Sequence, residues 1–205
     1  MSELKVNKIS PRSGTDVTLG DSGDTFTLGS GANIAGLTLS DNILFDTASK
    51  GIYLGVTSAT ASNLLDDYEE GTWLPSFQGS SSSPSGVNFT TRAGFYRKIG
   101  TTVFISVNLN ISSWSSGPTG TLRIGTLPFS TTSASNYQSV FFVGFASNFG
   151  TNDTPVSGQI PASANQIRLY KKNGSDSRSA ITTNSDSSDV SGDEHIVLSG
   201  FYETD

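Results

Sequence analysis

Apolar and polar side chains alternate strictly along the run TTVFISVNLNIS, residues 101–112. Apolar residues occupy every second position from Val103 to Ile111, and the positions between them hold Phe104, Ser106, Asn108 and Asn110. Successive side chains of a β-strand point to opposite faces of the sheet, so this pattern predicts an antiparallel strand with one buried face.

Six further segments of residues 72–205 also have a strand-like sequence pattern, and clusters of Gly, Pro, Ser and Asn separate them. They read TWLPSFQ, GFYRKI, TLRIGTL, YQSVFFVGFASNF, NQIRLYKK and HIVLSGFYET. Many short strands joined by polar turns are typical of an all-β sandwich. We therefore predict an all-β protein in which residues 72–205 form a β-sandwich head with a jelly-roll-like topology.

Residues 16–61 contain an irregular repeat whose units read VTLG, FTLG, LTLS and IYLG. Such short strands have too narrow an apolar edge to fold alone, so they need neighbouring chains or the rest of their own chain. We predict an intertwined trimeric β-shaft in which one leucine of each unit points to the common axis. These residues are Leu19, Leu28, Leu39 and Leu54.

The stretch LLDDYEEGTWLPSF, residues 64–77, places four carboxylates around one tyrosine. A helical turn from Ser62 to Gly71 would put Asp66 and Glu70 on one side. Three interpretations of these acids are a catalytic pair, a metal site and a connector. Adjacent exposed acids supply neither facing carboxylates nor six oxygen ligands. We predict an acidic connector, residues 62–71, with no catalytic or metal role. The side chains expected to pack where shaft and head meet are Leu64, Leu65, Tyr68 and Trp73.

Charge and composition exclude several classes of function. The chain has a net charge of −6 and a pI of about 4.6, which disfavours binding to nucleic acid phosphates. Cysteine is absent, so disulfides and Cys-ligated zinc are excluded. No run reaches the roughly 18 apolar residues of a membrane helix, and the N-terminus does not resemble a signal peptide. We expect a soluble protein, made in a cytosol, without a cofactor and without membrane insertion.

The only histidine and one acidic run are two further candidates for a site. His195 lies beside Asp193 and Glu194, but no GxSxG nucleophile motif accompanies it, so we expect a histidine at a strand edge. The run NSDSSDVSGDE, residues 184–194, lacks the spacing of a calcium loop and indicates an acidic loop.

Two aromatic residues lie in polar loops that suit binding. Trp114 in ISSWSSGPTG and Tyr137 in SASNYQS are predicted to contact a receptor, because exposed aromatic rings bind sugars and proteins well. The alternative is that Trp114 folds back over the core, and the same alternative applies to Tyr137.

The segment DDYEEGTWLP resembles a junction in bacteriophage tail-fibre proteins, especially those of marine phages. The N-terminal SELKVNKISPRSG is similar to the start of such fibres, and Arg97–Gly100 and Gly125–Phe129 fit the pattern of their heads. The resemblance fades after about Phe129. It implies a homotrimeric fibre or spike of the virion, assembled in the host cytoplasm, in which residues 1–15 attach to another virion protein.

The function expected from these observations is structural and adhesive, with a head that binds a glycan or protein of the host surface. Two alternatives remain open. One is a capsid-surface fibre or cement protein without a receptor role. The other is an enzyme that cleaves host polysaccharide, which needs carboxylates facing one another across a groove. The prediction is a protein without enzymatic activity.

Overall fold

The structure is a computed structural model that describes residues 14, 43–45, 47, 49–150, 153–173, 177–183 and 190–205. Residues 45–205 form one compact unit. The axial residues Leu19, Leu28 and Leu39 lie outside the described residues, as does all of the attachment segment except Gly14. The predicted trimeric shaft therefore stays a prediction.

The described part of the chain folds almost entirely into β-strands, which confirms the all-β class. One 3₁₀ helix, Ala61–Asn63, lies between the first two strands. The strands are β1 Ile52–Tyr53, β2 Leu64–Leu65, β3 Tyr68–Trp73, β4 Ser76–Gly79, β5 Asn88–Ile99, β6 Thr102–Ser113, β7 Gly120–Gly125, β8 Gln138–Phe149, β9 Pro155–Pro161, β10 Ile167–Asn173, β11 Ser177–Ala180, β12 Thr182–Thr183 and β13 Val190–Glu203. Among the described residues no helix has the length and apolar character to span a membrane.

Eleven of these strands belong to one antiparallel sheet in the order β12-β7-β10-β9-β8-β13-β6-β5-β3, with β11 beside β10 and β4 beside β7. The sheet curls into a half-barrel. Its long strands carry irregular register where β13 meets β8 and where β5 meets β6, and bulges of this kind bend a sheet. The strand pairing does not confirm a two-sheet jelly roll, because nine strands form one hydrogen-bonded path and the other two, β4 and β11, pair with strands of that path.

The inner face of the curled sheet holds the hydrophobic core. The alternation of β6 is confirmed: from Val103 to Ile111 the apolar positions are at most 4% exposed, whereas Phe104 is 47% exposed. The largest fully buried side chains from other strands and loops include Phe141, Leu122, Ile124, Ile160, Ile167, Leu169, Ile181, Ile196, Leu198 and Tyr202. Each strand thus contributes every second residue to one shared core.

Glycines of the inner face allow aromatic rings to lie flat on the neighbouring strand. A Cβ at Gly94 would come within 2.4 Å of Trp73 Nε1, and a Cβ at Gly200 within 2.6 Å of Phe141 Cδ1. Both distances are far below van der Waals contact, so any side chain here would displace a buried ring. These glycines are required by packing across strands.

The predicted helical turn over residues 62–70 is wrong. After the 3₁₀ helix the chain forms β2, which pairs with β1 through Leu64 and Leu65, and then β3, which pairs with β5. The long strand β5 offers an edge whose hydrogen bonds a second strand satisfies, and this outweighs the helical spacing of the acids. Tyr68 is 58% exposed and Trp73 is 8% exposed, so these two connector residues point to opposite faces of β3.

Candidate functional site

The outer face of the sheet is opposite the core and is built by the register of seven strands. Residues paired across antiparallel strands place their side chains on the same face. One such row crosses the sheet from β3 to β10 and consists of Thr72, Phe95, Ser106, Ser199, Phe142, Ser157 and Tyr170. The outer face has an aromatic half and a polar half.

The aromatic half carries five phenylalanines, which we call the aromatic patch. Their exposed fractions are 58% for Phe95, 47% for Phe104, 77% for Phe142, 49% for Phe145 and 54% for Phe201. They come from the four adjacent strands β5, β6, β13 and β8. The rings of Phe104 and Phe201, which are directly paired, lie 5.9 Å apart. Exposed rings in such number are unusual on a soluble monomer.

Charge is sparse around the aromatic patch. Arg97 lies beside Phe104 in the register, and its guanidinium contacts the Glu70 carboxylate at 3.4 Å. A hydrogen bond from the Tyr68 hydroxyl, and then Arg97, hold the pKa of Glu70 below its usual value. Both partners of this ion pair are more than half exposed, so the pair stabilises the fold little. Its two charges cancel at the edge of the patch.

The polar half continues the same face onto β9, β10, β7 and β4, and we call its residues the polar patch. Successive register pairs connect Gln159, Arg168, Arg123 and Gln78. Arg123 donates from Nη1 to Gln166 Oε1 at 2.7 Å, while its buried Nε has no hydrogen-bond partner among the described residues. Gln166 in turn donates to Gln78. This network holds amide and guanidinium groups on the surface of the sheet.

A groove of about 210 Å³ lies at the edge of the polar patch, where Val140, Gln159, Tyr170 and Arg178 line it together with Ser157 and Gly158. The Tyr170 hydroxyl donates to Gln159 Oε1 at 2.9 Å, and Gln159 Nε2 donates to Gln138 Oε1 at 2.5 Å. Gln159 and Tyr170 are thereby oriented before any ligand binds. Such a groove offers an aromatic ring, amides and a cation to a polar ligand.

Three arginines of this half have no ion-pair partner among the described residues. In the part of the chain that the structure describes, no carboxylate forms an ion pair with Arg123, Arg168 or Arg178. Lys171, by contrast, is paired with Asp153. A protein with a net charge of −6 thus presents a locally cationic surface, which favours an anionic group.

The structure places the predicted recognition residue Trp114 against the core. Its half-buried indole packs on the core cluster, and a Cβ at Gly192 would come within 3.0 Å of its Nε1. Tyr137 is also half-buried, and its hydroxyl accepts a hydrogen bond of 2.5 Å from the Glu203 backbone N–H. Both side chains therefore have structural contacts of their own.

The two acids of β3, Glu69 and Glu70, lie on opposite faces of the strand, and Asp67 directly precedes it. Asp67 forms an ion pair with Lys98, and Glu69 accepts a 2.5 Å hydrogen bond from the Tyr96 hydroxyl. This bond is the main reason why the pKa of Tyr96 is raised. Glu70 points the other way, toward Arg97. Alternation along a strand separates Glu69 from Glu70, so these neighbours do not face a common substrate.

The remaining titratable candidates also lie apart. His195 on the outer face contacts Asn108 Oδ1 through Nε2 at 2.9 Å, and its ring lies 4.9 Å from that of Phe145. Glu194 points inward, is fully buried and accepts hydrogen bonds from the Gly192 backbone N–H at 3.1 and 3.2 Å. Burial raises its pKa. Of the predicted acidic loop, residues 184–189 lie outside the described residues. The described residues contain no group of three potential metal ligands.

Sequence reasoning missed the polar patch. The segment NQIRLYKK does alternate, since Arg168 and Tyr170 each follow a buried residue, Ile167 and Leu169. That signal places Arg168 and Tyr170 on the outer face of their own strand. It does not indicate that Gln78, Arg123 and Gln159 from three other strands lie beside them.

No protein-family model and no curated protein matches the chain. A solved structure, the crystal structure of the Dettilon tailspike protein (gp208), is similar to it with a TM-score of 0.50 and 23% sequence identity. The similarity covers 66% of this chain and 24% of the tailspike chain. At this identity the likeness shows a shared fold. About two thirds of this chain therefore corresponds in fold to about a quarter of that tailspike.

Proposed function

We propose that this protein is a virion protein of a bacteriophage tail, of the spike or fibre type, whose head binds an acidic saccharide of the host surface. The polar patch carries the proposal, since it combines arginines that have no ion-pair partner in the described part of the chain with oriented amides and the Tyr170 ring on one face. The tailspike-like fold and the tail-fibre-like junction DDYEEGTWLP support the assignment to a phage tail.

The chemistry of the groove favours a sugar acid. A guanidinium binds a carboxylate through two parallel hydrogen bonds, and amide side chains donate to and accept from hydroxyl groups. The Tyr170 ring supplies a flat apolar surface for the C–H face of a pyranose. Neither Trp114 nor Tyr137 offers a comparable set of free groups, so the polar patch replaces them as the proposed recognition surface.

The proposal includes a homotrimer in which residues 1–15 attach to another virion protein. Three identical heads raise the avidity for a repetitive glycan, even when each site binds weakly. Host-surface binding fits a loop-bearing β-scaffold better than catalysis does, because each of the acids Asp67, Glu69 and Glu70 already has a partner on β5. We propose no enzymatic step and no cofactor.

Binding of the full-length protein to alginate, which is rich in uronic acids, tests the saccharide proposal, with dextran as the neutral comparison. We expect binding to alginate that is about tenfold weaker in Arg178→Gln, because one charge-assisted hydrogen-bonded pair is lost. Lys50→Gln is the matched control, since it removes an exposed cation outside the eleven-stranded sheet.

Equal binding of both polymers, or equal loss in both variants, would contradict a specific acidic-sugar site. Shortening of the alginate chains would instead support the depolymerase. Immunogold labelling of intact particles decides between the tail and the capsid surface. Gold on the capsid would favour the fibre or cement protein without a receptor role.

A further inference from the structure

We propose that the aromatic patch is the surface through which copies of this chain pack against one another in the head. This inference rests on the homotrimer of the proposed function and adds where its subunits meet. It concerns Phe95, Phe104, Phe142, Phe145 and Phe201, none of which belongs to the predicted shaft.

The size of the patch argues that something covers it. Burying a whole aromatic side chain removes about 150–250 Å² from water, so five half-exposed rings leave roughly 400–700 Å² of apolar surface. The largest apolar patch of an ordinary monomer is about 300–600 Å². A standard interface buries roughly 800 Å² on each partner. The patch with its apolar neighbour Ile99, which is 41% exposed, approaches that value.

The chemistry of the patch favours a second copy over a differently charged partner. Its centre is formed by rings and by the small Ser106 and Ser199, which leave room between the rings for those of another subunit. Of the described charges at its edge, Arg97 and Glu70 neutralise each other, and the Glu203 carboxylate accepts hydrogen bonds from Thr101 and Thr102. Interface centres are depleted in charge, and an uncharged face lets identical acidic chains approach without repulsion.

The surface also differs from the polar patch in what it can bind. Besides the Arg97–Glu70 pair, the polar groups among the rings are the short hydroxyls of Ser106 and Ser199 and, beside Phe145, the His195 ring and the Asn108 amide, which already contact each other. Aromatic rings from two subunits, in contrast, pair edge to face without any polar partner. The two halves of the outer face therefore have different partners. The aromatic patch contacts other subunits, and the polar patch binds the ligand.

Because the chain contains no cysteine, single thiols report on this contact directly. Ser106→Cys and Ser199→Cys place a thiol of nearly the same size within the patch, and Ser81→Cys is the matched control in an exposed loop. In the full-length protein we expect light scattering to give the mass of a trimer. Maleimide should react about tenfold more slowly with both patch thiols than with the control, and equally fast with all three in guanidinium.

Each other outcome overturns the inference. A trimer whose patch thiols react as fast as the control would keep the trimer and place its contact elsewhere. A monomer with protected thiols would show that another part of the same chain covers the patch. A monomer with reactive thiols would contradict both the proposed contact and the homotrimer. The saccharide and virion proposals would still be tested independently by alginate binding and immunogold labelling.

Discussion

Phe141 and Phe142 are consecutive residues of the same type, yet the first is fully buried and the second is 77% exposed. Phe141 packs on the inner face against Gly200 and Tyr202, and Phe142 stands on the outer face beside Ser157 and Ser199. The difference shows that the two faces of this sheet have different roles. The inner face holds the fold together, and the outer face is available for contacts with other molecules.

The same division separates two consecutive acids of β13. Glu194 points inward and is fully buried, and Asp193 points outward and is exposed. Burial raises the pKa of Glu194 because its charged form loses water, and the two hydrogen bonds from the Gly192 N–H compensate only in part. The buried carboxyl group of Glu194 therefore changes the free energy of unfolding by an amount that depends on pH.

The largest expected effect distinguishes the two phenylalanines. Phe141→Ala should lower the free energy of unfolding by about 3–5 kcal/mol, because it removes a buried ring and leaves a cavity. Phe142→Ala should change it by less than about 0.5 kcal/mol when measured on dissociated subunits. Chemical denaturation at low protein concentration measures both. Similar losses in the two variants would contradict the division into faces.

The glycines give a second test of the inner face. Gly200→Ala should cost about 1–3 kcal/mol, since the added methyl group would overlap the Phe141 ring. Gly144→Ala is the matched control in the adjacent strand, because a Cβ there meets only the Val197 carbonyl oxygen at 3.8 Å. Thermal unfolding compares the two. An unchanged melting temperature in Gly200→Ala would mean that Phe141 has room to move.

Trp114 sharpens the question of which region recognises the host. Its indole packs against Gly192, so Trp114→Ala should lower the free energy of unfolding by about 1–2 kcal/mol. Saccharide binding by the folded protein should stay unchanged, because the polar patch does not include Trp114. Weaker binding with an unchanged melting temperature would instead support the receptor contact of Trp114 that the sequence predicts.

The smallest effect concerns Glu194 and pH. A carboxyl group whose folded pKa is raised contributes stability below its unfolded pKa and loses it as pH rises through the folded value. Wild-type stability should therefore fall as pH rises above about 4.5, the ordinary value, and Glu194→Gln should remove that part of the loss. Asp193→Asn should reduce the loss only in part, because the neighbouring Asp193 charge is a smaller cause of the raised pKa of Glu194 than burial is. If stability depends on pH in the same way in Glu194→Gln and in the wild type, the buried Glu194 carboxylate does not destabilise the fold as expected.

The helical interpretation of residues 62–70 shows where a local pattern misleads. The acids at positions 66 and 70 have helical spacing, but Tyr68, Glu70 and Thr72 also have the two-residue spacing of a strand. The pattern itself does not choose between the two. The unpaired edge of β5 decides in favour of the strand, and that edge is known only once the sheet is formed.

The sequence by itself determined the all-β class, the position of most long strands and the face of β6 that is buried, because a two-residue period is a local property of the chain. Tertiary structure alone decided that the strands join one curled sheet and that β3 closes one of its edges. It also decided that phenylalanines from four strands form one exposed patch beside a polar one. The reason is that register between distant strands depends on pairings across up to about a hundred residues, as between Phe104 and Phe201, and no local pattern encodes them.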